Sequence, residues 1–181
     1  MNHIFRSIGA LLLMLLPACA ETKDTDGWGK VKWGMTVEAA KAAYGAEAED
    51  STIVPGPNFI FIDRITLPNV KVGDLEMKAS LQVPKGSDQI KQVSLSLKAD
   101  MQAPSFMRSG AFERLKALLI EKYGAPTNED GTTEREHLVK TVLWSLPTTT
   151  ITLIWSESSR YQLGYVSLRY KAVDKKALDT L

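Results

Sequence analysis

The residues that could catalyse a reaction are few, and their spacing fits no catalytic arrangement. His137 is the only histidine after residue 20, and it follows the charged stretch 134–136. A histidine needs a nucleophile to activate or further metal ligands beside it, and no motif supplies either. The acidic pair 129–130 lies in a polar segment with a glycine, where carboxylates stay solvated. We therefore predict no catalytic residue, no metal site, no cofactor and no enzymatic activity.

The first twenty residues carry the signals of export. Arg6 and the amino terminus give a positive start, residues 8–16 form an apolar run interrupted only by Gly9, and small residues close the segment at 17–20. This is the pattern of a secretory signal peptide over residues 1–20, and its apolar run is shorter than the ~20 residues of a membrane-spanning helix. We predict an exported, periplasmic mature chain.

Cys19, the only cysteine, allows two interpretations of the cleavage site. Residues 18–20 (Ala-Cys-Ala) fit the A-x-A pattern, which makes Glu21 the first mature residue. Residues 16–19 (Leu-Pro-Ala-Cys) resemble the bacterial lipobox, which implies a diacylglyceryl anchor on the Cys19 thiol and a tether to the outer membrane. A single cysteine excludes an intramolecular disulfide and a cysteine-based zinc site.

The charge of the mature chain excludes one class of partner. The formal net charge of +1 includes Arg6, and residues 1–20 hold no acidic residue, so the chain after residue 20 has a net charge of zero. Nucleic-acid binding needs a basic face, and we predict no nucleic-acid partner. A membrane contact is expected only through a lipid on Cys19.

Residues 21–27 are short and polar and are predicted to be a flexible tether. The first folded half, 28–100, is predicted to begin with a helix that Thr36 caps and Gly45 ends. Apolar runs and alternating side chains predict three strands after it. These predicted strands cover residues 58–67, 72–83 and 90–97. The first of them is apolar at both parities at its start, which indicates a strand covered on both faces or one that contains a bulge.

The second half, 101–181, repeats that order. A linker over 101–105 leads to a helix that Ser109 caps and Gly124 ends, with an apolar stripe along one side. Three further strands are predicted, at 137–146, 149–155 and 161–170. The apolar positions of the last strand change parity near Gly164, which predicts a β-bulge there.

Both predicted helices end in Tyr-Gly-Ala, at 44–46 and 123–125. The matching order of elements predicts an α+β fold, a tandem helix-strand-strand-strand repeat with the helices packed on one face of antiparallel sheet. The pattern leaves open whether the halves form one sheet or two.

The Gly34-Met35-Thr36 helix start and the Tyr123-Gly124-Ala125-Pro126 helix exit resemble those of small exported bacterial modules. These modules are the outer-membrane-assembly lipoproteins of the SmpA/BamE type and the tandem modules of β-lactamase-inhibitor proteins. That resemblance implies a binding role and transfers no binding residues.

Four aromatic residues are candidates for a binding surface: Trp28, Trp33, Tyr161 and Tyr165. Aromatic rings offer a large contact area and a polar atom, although the two tryptophans could instead fix the start of the folded chain to the first sheet. We favour an exported protein-binding module, periplasmic or tethered to the outer membrane, that acts on another envelope protein as an assembly factor, inhibitor or immunity-type protein. The alternative is a periplasmic small-ligand or glycan-binding protein with aromatic residues in a groove between the halves.

Overall fold

The computed structural model describes residues 24–54, 56–98, 104–134, 136–161 and 163–174. The predicted signal peptide and Cys19 lie outside the described residues. The elements are β1 (Gly27–Trp28), β2 (Val31–Lys32), α1 (Val37–Tyr44), β3 (Glu49–Asp50), β4 (Phe61–Val72), β5 (Leu75–Pro84), β6 (Gln92–Leu97), α2 (Ser105–Tyr123), β7 (Asn128–Glu134), β8 (His137–Ser145), β9 (Thr149–Ser158) and β10 (Leu163–Ala172).

Eight of the strands form one antiparallel sheet, in the order β3-β4-β5-β6-β10-β9-β8-β7, and β1 and β2 form a separate hairpin. The first and second halves of the chain meet where β6 pairs with β10, with Leu95 opposite Leu168. The two halves therefore share a single sheet.

The predicted α+β class, a helix-strand repeat, is wrong. The described chain is mostly β, with two short helices beside a large antiparallel sheet. Part of the extra strand content lies in β7, where all seven side chains are exposed. Such an edge strand is held by backbone hydrogen bonds to β8, and these leave no apolar pattern in the sequence.

Helix α1 begins and ends as predicted, because the Thr36 hydroxyl accepts a hydrogen bond from the Ala39 N–H at 3.2 Å and Gly45 closes the helix at a φ of 57°. Helix α2 begins earlier than predicted, after Pro104 rather than at Ser109. Proline suits a helix start because its φ is already near the helical value. Residues 105–107 at the start of α2 are exposed and therefore add nothing to the apolar stripe.

The core lies between one face of the sheet and a layer formed by α1, α2 and the β1–β2 hairpin. Alternate residues of the strands point into it, and Tyr123 on α2 packs edge-on against Tyr170 on β10 with ring centroids 6.4 Å apart. Burial raises the pKa of the Tyr170 hydroxyl above its ordinary value. The largest fully buried side chains are Ile65, Met77, Leu81, Ile90, Leu95, Leu115, Trp144, Ile151, Leu153 and Leu168.

The predicted bulge at Gly164 is also wrong, since β10 pairs with β9 without a break from Leu163 to Ala172. Gly164 points toward the helices, where a Cβ would lie 2.7 Å from Arg108 Nε and 2.8 Å from the Ser156 carbonyl oxygen. Because Gly164 has no side chain, the Arg108 side chain of α2 can pack against it. A glycine at this inward position therefore interrupts the apolar pattern of β10.

The described chain starts at one end of the sheet, beside the β8–β9 turn. The Thr148 N–H donates to Asp24 Oδ1 at 3.3 Å, and the Thr148 hydroxyl donates to the Thr25 carbonyl at 2.8 Å. These contacts hold the last part of the predicted tether against the second half. We call this end the entry end; the β4–β5 turn and the first turn of α2 lie at the opposite end.

Candidate functional site

Both helices pack on the same face of the sheet, and the other face, the open face, carries mostly short polar side chains. The pairing register of the strands aligns one row of side chains on this face, with one residue from each of six neighbouring strands. The row consists of Thr66, Ser80, Ser94, Arg169, Thr152 and Leu143. In the parts of the chain that the structure describes, α1, α2 and the hairpin all lie on the opposite side. The open face is therefore the largest continuous surface of the sheet that another molecule could cover.

Hydrogen bonds between side chains order part of the open face. Gln82 Nε2 donates to Asp63 Oδ1 at 2.5 Å, the Ser94 hydroxyl donates to Gln82 Oε1 at 3.2 Å, and Gln92 Nε2 donates to the same Gln82 oxygen. Gln92 is buried although it points away from the helices. The network holds these amides in fixed positions, as a preformed polar surface requires.

Two of the predicted binding residues reach solvent near the opposite end. Tyr165 on β10 points to the open face and is 51% exposed, and Arg169 is exposed on the same face. Tyr161 is 61% exposed in the β9–β10 turn, with the Arg160 guanidinium 5.4 Å from its ring centroid. A tyrosine and an arginine on one strand can supply an aromatic contact and a charge-assisted hydrogen bond to the same partner.

Trp33 lies at the entry end, in a groove of about 840 Å³ between the two halves. Its Nε1–H donates to the Thr149 hydroxyl at 2.7 Å, and part of the ring packs against the core. The groove is lined by Asp26, Lys32, Trp33, Ile60, Phe61, Pro84, Lys91, Thr148, Lys171, Ala172, Val173 and Asp174. The groove combines aromatic surface with three lysines. One of them, Lys32, forms an ion pair with Asp26, with 3.2 Å between its Nζ and Asp26 Oδ2.

Trp28 lies elsewhere, in a smaller cleft of about 270 Å³ beside Tyr123 and Tyr170. It packs partly against the core, as Trp33 does. The four predicted aromatic residues therefore do not converge on one site. The two tryptophans lie in separate clefts. Tyr165 is six residues along β10 from Lys171, which lines the groove, so the two positions are about 20 Å apart.

Sequence reasoning missed an exposed apolar loop, which we define by Ile53, Val54, Phe59 and Ile60. These four side chains are 48%, 88%, 58% and 76% exposed. Residues 58–67 were predicted to form a strand that is covered on both faces or contains a bulge. Strand β4 begins only at Phe61, and its register with β5 shifts after Asp63 and after Leu67. The signal that could have identified the loop is the complete lack of charged residues from 51 to 62.

A buried charge lies on α2 at the opposite end. Arg108 is 4% exposed and packs over Gly164, and its Nη2 is 3.8 Å from Glu157 Oε2. The Ser105 hydroxyl donates to that same carboxylate oxygen at 2.8 Å. This group connects the start of α2 to β9 and β10.

The described residues hold no group of three His, Cys, Asp or Glu side chains that could bind a metal ion, and none of their helices is long and apolar enough to cross a membrane. His137 is exposed at the start of β8, opposite Ser158 on β9 and Glu134 on β7. The arrangement offers surfaces for binding: the open face, the groove and the apolar loop. Comparison of the chain with protein-family models, with curated proteins and with solved structures gives no match.

Proposed function

We propose that this protein is an exported, non-catalytic binding module that holds another envelope protein against the open face of its sheet. The observation that carries the proposal is the open face itself, eight strands wide and left uncovered by both helices. The signal-peptide pattern of residues 1–20 supports export, and the lipobox-like residues 16–19 support a tether at Cys19.

The size of the open face suits a protein partner. Eight strands spaced ~4.8 Å apart span roughly 34 Å. The strands range from two residues in β3 to twelve in β4, and the four of nine or ten residues (β5, β8, β9 and β10) span roughly 30 Å. This is about 1,000 Å² of surface, comparable to the ~800 Å² that each partner buries in a standard interface. Hydroxyl and amide side chains with an exposed tyrosine and arginine are suited to a non-obligate interface.

Tyr165→Ala is expected to weaken binding of the partner at least about tenfold, because an exposed tyrosine that becomes buried in an interface often contributes about 2 kcal/mol or more. The partner would first be captured from an envelope extract of the native host with the mature chain as bait. The affinity of each variant for the captured protein would then be measured by calorimetry.

The matched control is Ile120→Ala, which truncates an exposed side chain on the solvent side of α2. It should leave the affinity unchanged. Repeated failure to capture a stoichiometric partner, or equal losses in the two variants, would contradict the open face as the binding surface.

We also propose a second candidate function, favoured by the groove at the entry end. Trp33 and Phe61 provide aromatic surface, and Lys91 and Lys171 provide positive charge, which together suit a glycan or an anionic small ligand. The Lys171 ammonium lies 5.6 Å from the Phe61 ring centroid.

A ligand in the groove should change the fluorescence of Trp33. Titration with peptidoglycan fragments, sugars and lipids is expected to give a saturable signal that Trp33→Phe loses and Trp28→Phe keeps, because Trp28 lies in the other cleft. A signal that both variants keep would place any ligand outside the groove.

A further inference from the structure

We infer that the entry end docks on a phospholipid membrane, with the apolar loop inserted among the lipids. The inference rests on the tethered form of the proposed function, in which Cys19 carries the lipid. It adds a second membrane contact, made by folded residues, to the lipid anchor itself.

The apolar loop has the exposure of an insertion element. Ile60 and Val54 are 76% and 88% exposed, which is unusual for large apolar side chains grouped in one short segment. Backbone hydrogen bonds fix both flanks of the loop: the Ser51 N–H donates to the Arg64 carbonyl at 3.1 Å, and the Lys85 N–H donates to the Ile60 carbonyl at 3.0 Å. The side chains are therefore held outward by an ordered frame.

Charges around the loop suit a membrane surface. No charged residue lies between 51 and 62, and Lys85 Nζ donates to the Pro57 carbonyl at 3.5 Å, so an ammonium group borders the apolar side chains. Lys91 and Lys171 lie at the same end, where Asp88 and Asp174 offset much of their charge. Insertion of the apolar side chains is thus the main contribution to membrane binding, and the lysines add a weaker attraction to anionic headgroups.

The length of chain before the described residues places the lipid at this end. Cys19 is five residues before Asp24, and five extended residues reach at most about 18 Å. Asp24 is hydrogen-bonded to Thr148, which lines the same groove as Ile60. A lipid on Cys19 consequently holds the entry end, with the apolar loop, close to the bilayer.

The first test is co-sedimentation of the mature chain 21–181, which has no lipid, with vesicles of equal parts phosphatidylcholine and phosphatidylglycerol. The wild-type chain is expected to bind. The double variant Phe59→Asp/Ile60→Asp should lose at least about tenfold in partition coefficient, because two large side chains can no longer enter hydrocarbon. The matched control Phe106→Asp/Met107→Asp changes an equally exposed apolar pair at the opposite end and should bind like the wild type.

The second test fixes the orientation. The chain 19–181 is coupled through its Cys19 thiol to a maleimide lipid in vesicles with brominated acyl chains. The fluorescence of the tryptophan added by Phe59→Trp should be quenched more than that of the tryptophan added by Phe106→Trp. Absence of wild-type sedimentation, equal losses in the two double variants, or stronger quenching of Phe106→Trp would overturn the docking inference. Capture of a partner through Tyr165, and the intact mass of the native protein as a measure of lipidation, report on the proposed function independently.

Discussion

Replacing Arg108 with alanine is expected to lower the free energy of unfolding by about 3 kcal/mol or more. The guanidinium is buried over Gly164, and the Glu157 carboxylate beside it is only 17% exposed. Removal of the arginine leaves the Glu157 carboxylate without this cation in a site of limited solvation, and it opens a cavity against Gly164. Urea unfolding monitored by tryptophan fluorescence would measure the loss.

Arg114→Ala is the matched control for this prediction. Arg114 lies on the same helix and pairs with Asp74, but both side chains are more than half exposed. Because exposed ion pairs contribute only about 0–1 kcal/mol, this variant should unfold close to the wild-type midpoint. A similar loss in the two variants would show that burial of Arg108 has no special role.

The second large effect is expected for Trp144→Ala, with a loss of about 3–5 kcal/mol. Trp144 on β8 is 1% exposed, and its Nε1–H donates to the Gly124 carbonyl at 2.9 Å. Gly124 ends α2, so one side chain both fills the core and fixes the end of the helix to the sheet. The variant loses the ring and the hydrogen bond together.

Trp144→Phe separates these two contributions. The phenyl ring keeps much of the apolar contact but removes the donor and part of the ring volume, so a smaller loss of roughly 1–2 kcal/mol is expected. Urea midpoints of the two variants, compared with the wild type, provide the measurement. A Trp144→Ala protein within about 1 kcal/mol of the wild type would contradict the assigned role.

The parts of the fold that were predictable have strong local signals. The alternation of buried and partly exposed residues along β5 gives its position, and a threonine cap with a closing glycine gives α1. Strand β7 has neither signal, since its residues are polar and exposed. Counting elements by apolar pattern therefore underestimates the strands, and strand β7, like the two-residue strands β1, β2 and β3, was missed in the predicted fold class.

The candidate site was harder to predict, because exposure depends on the whole fold. Phe59 and Ile60 resemble the start of a buried strand, and nothing local distinguishes a covered apolar run from an exposed one. Gly164 marks a packing position rather than a bulge, and its partner Arg108 is 56 residues away in the sequence. Tyr165 faces away from the core because side chains alternate along the unbroken strand β10.

The position of β10 in the middle of the sheet has a consequence for synthesis. It is the last described strand, yet it lies between β6 and β9 and supplies backbone partners to both. While the ribosome is still making the chain, β6 has an unsatisfied edge until residues 163–172 have emerged. The sheet therefore closes only after its last described strand has been made, and the long sequence separation between β6 and β10 favours slow folding.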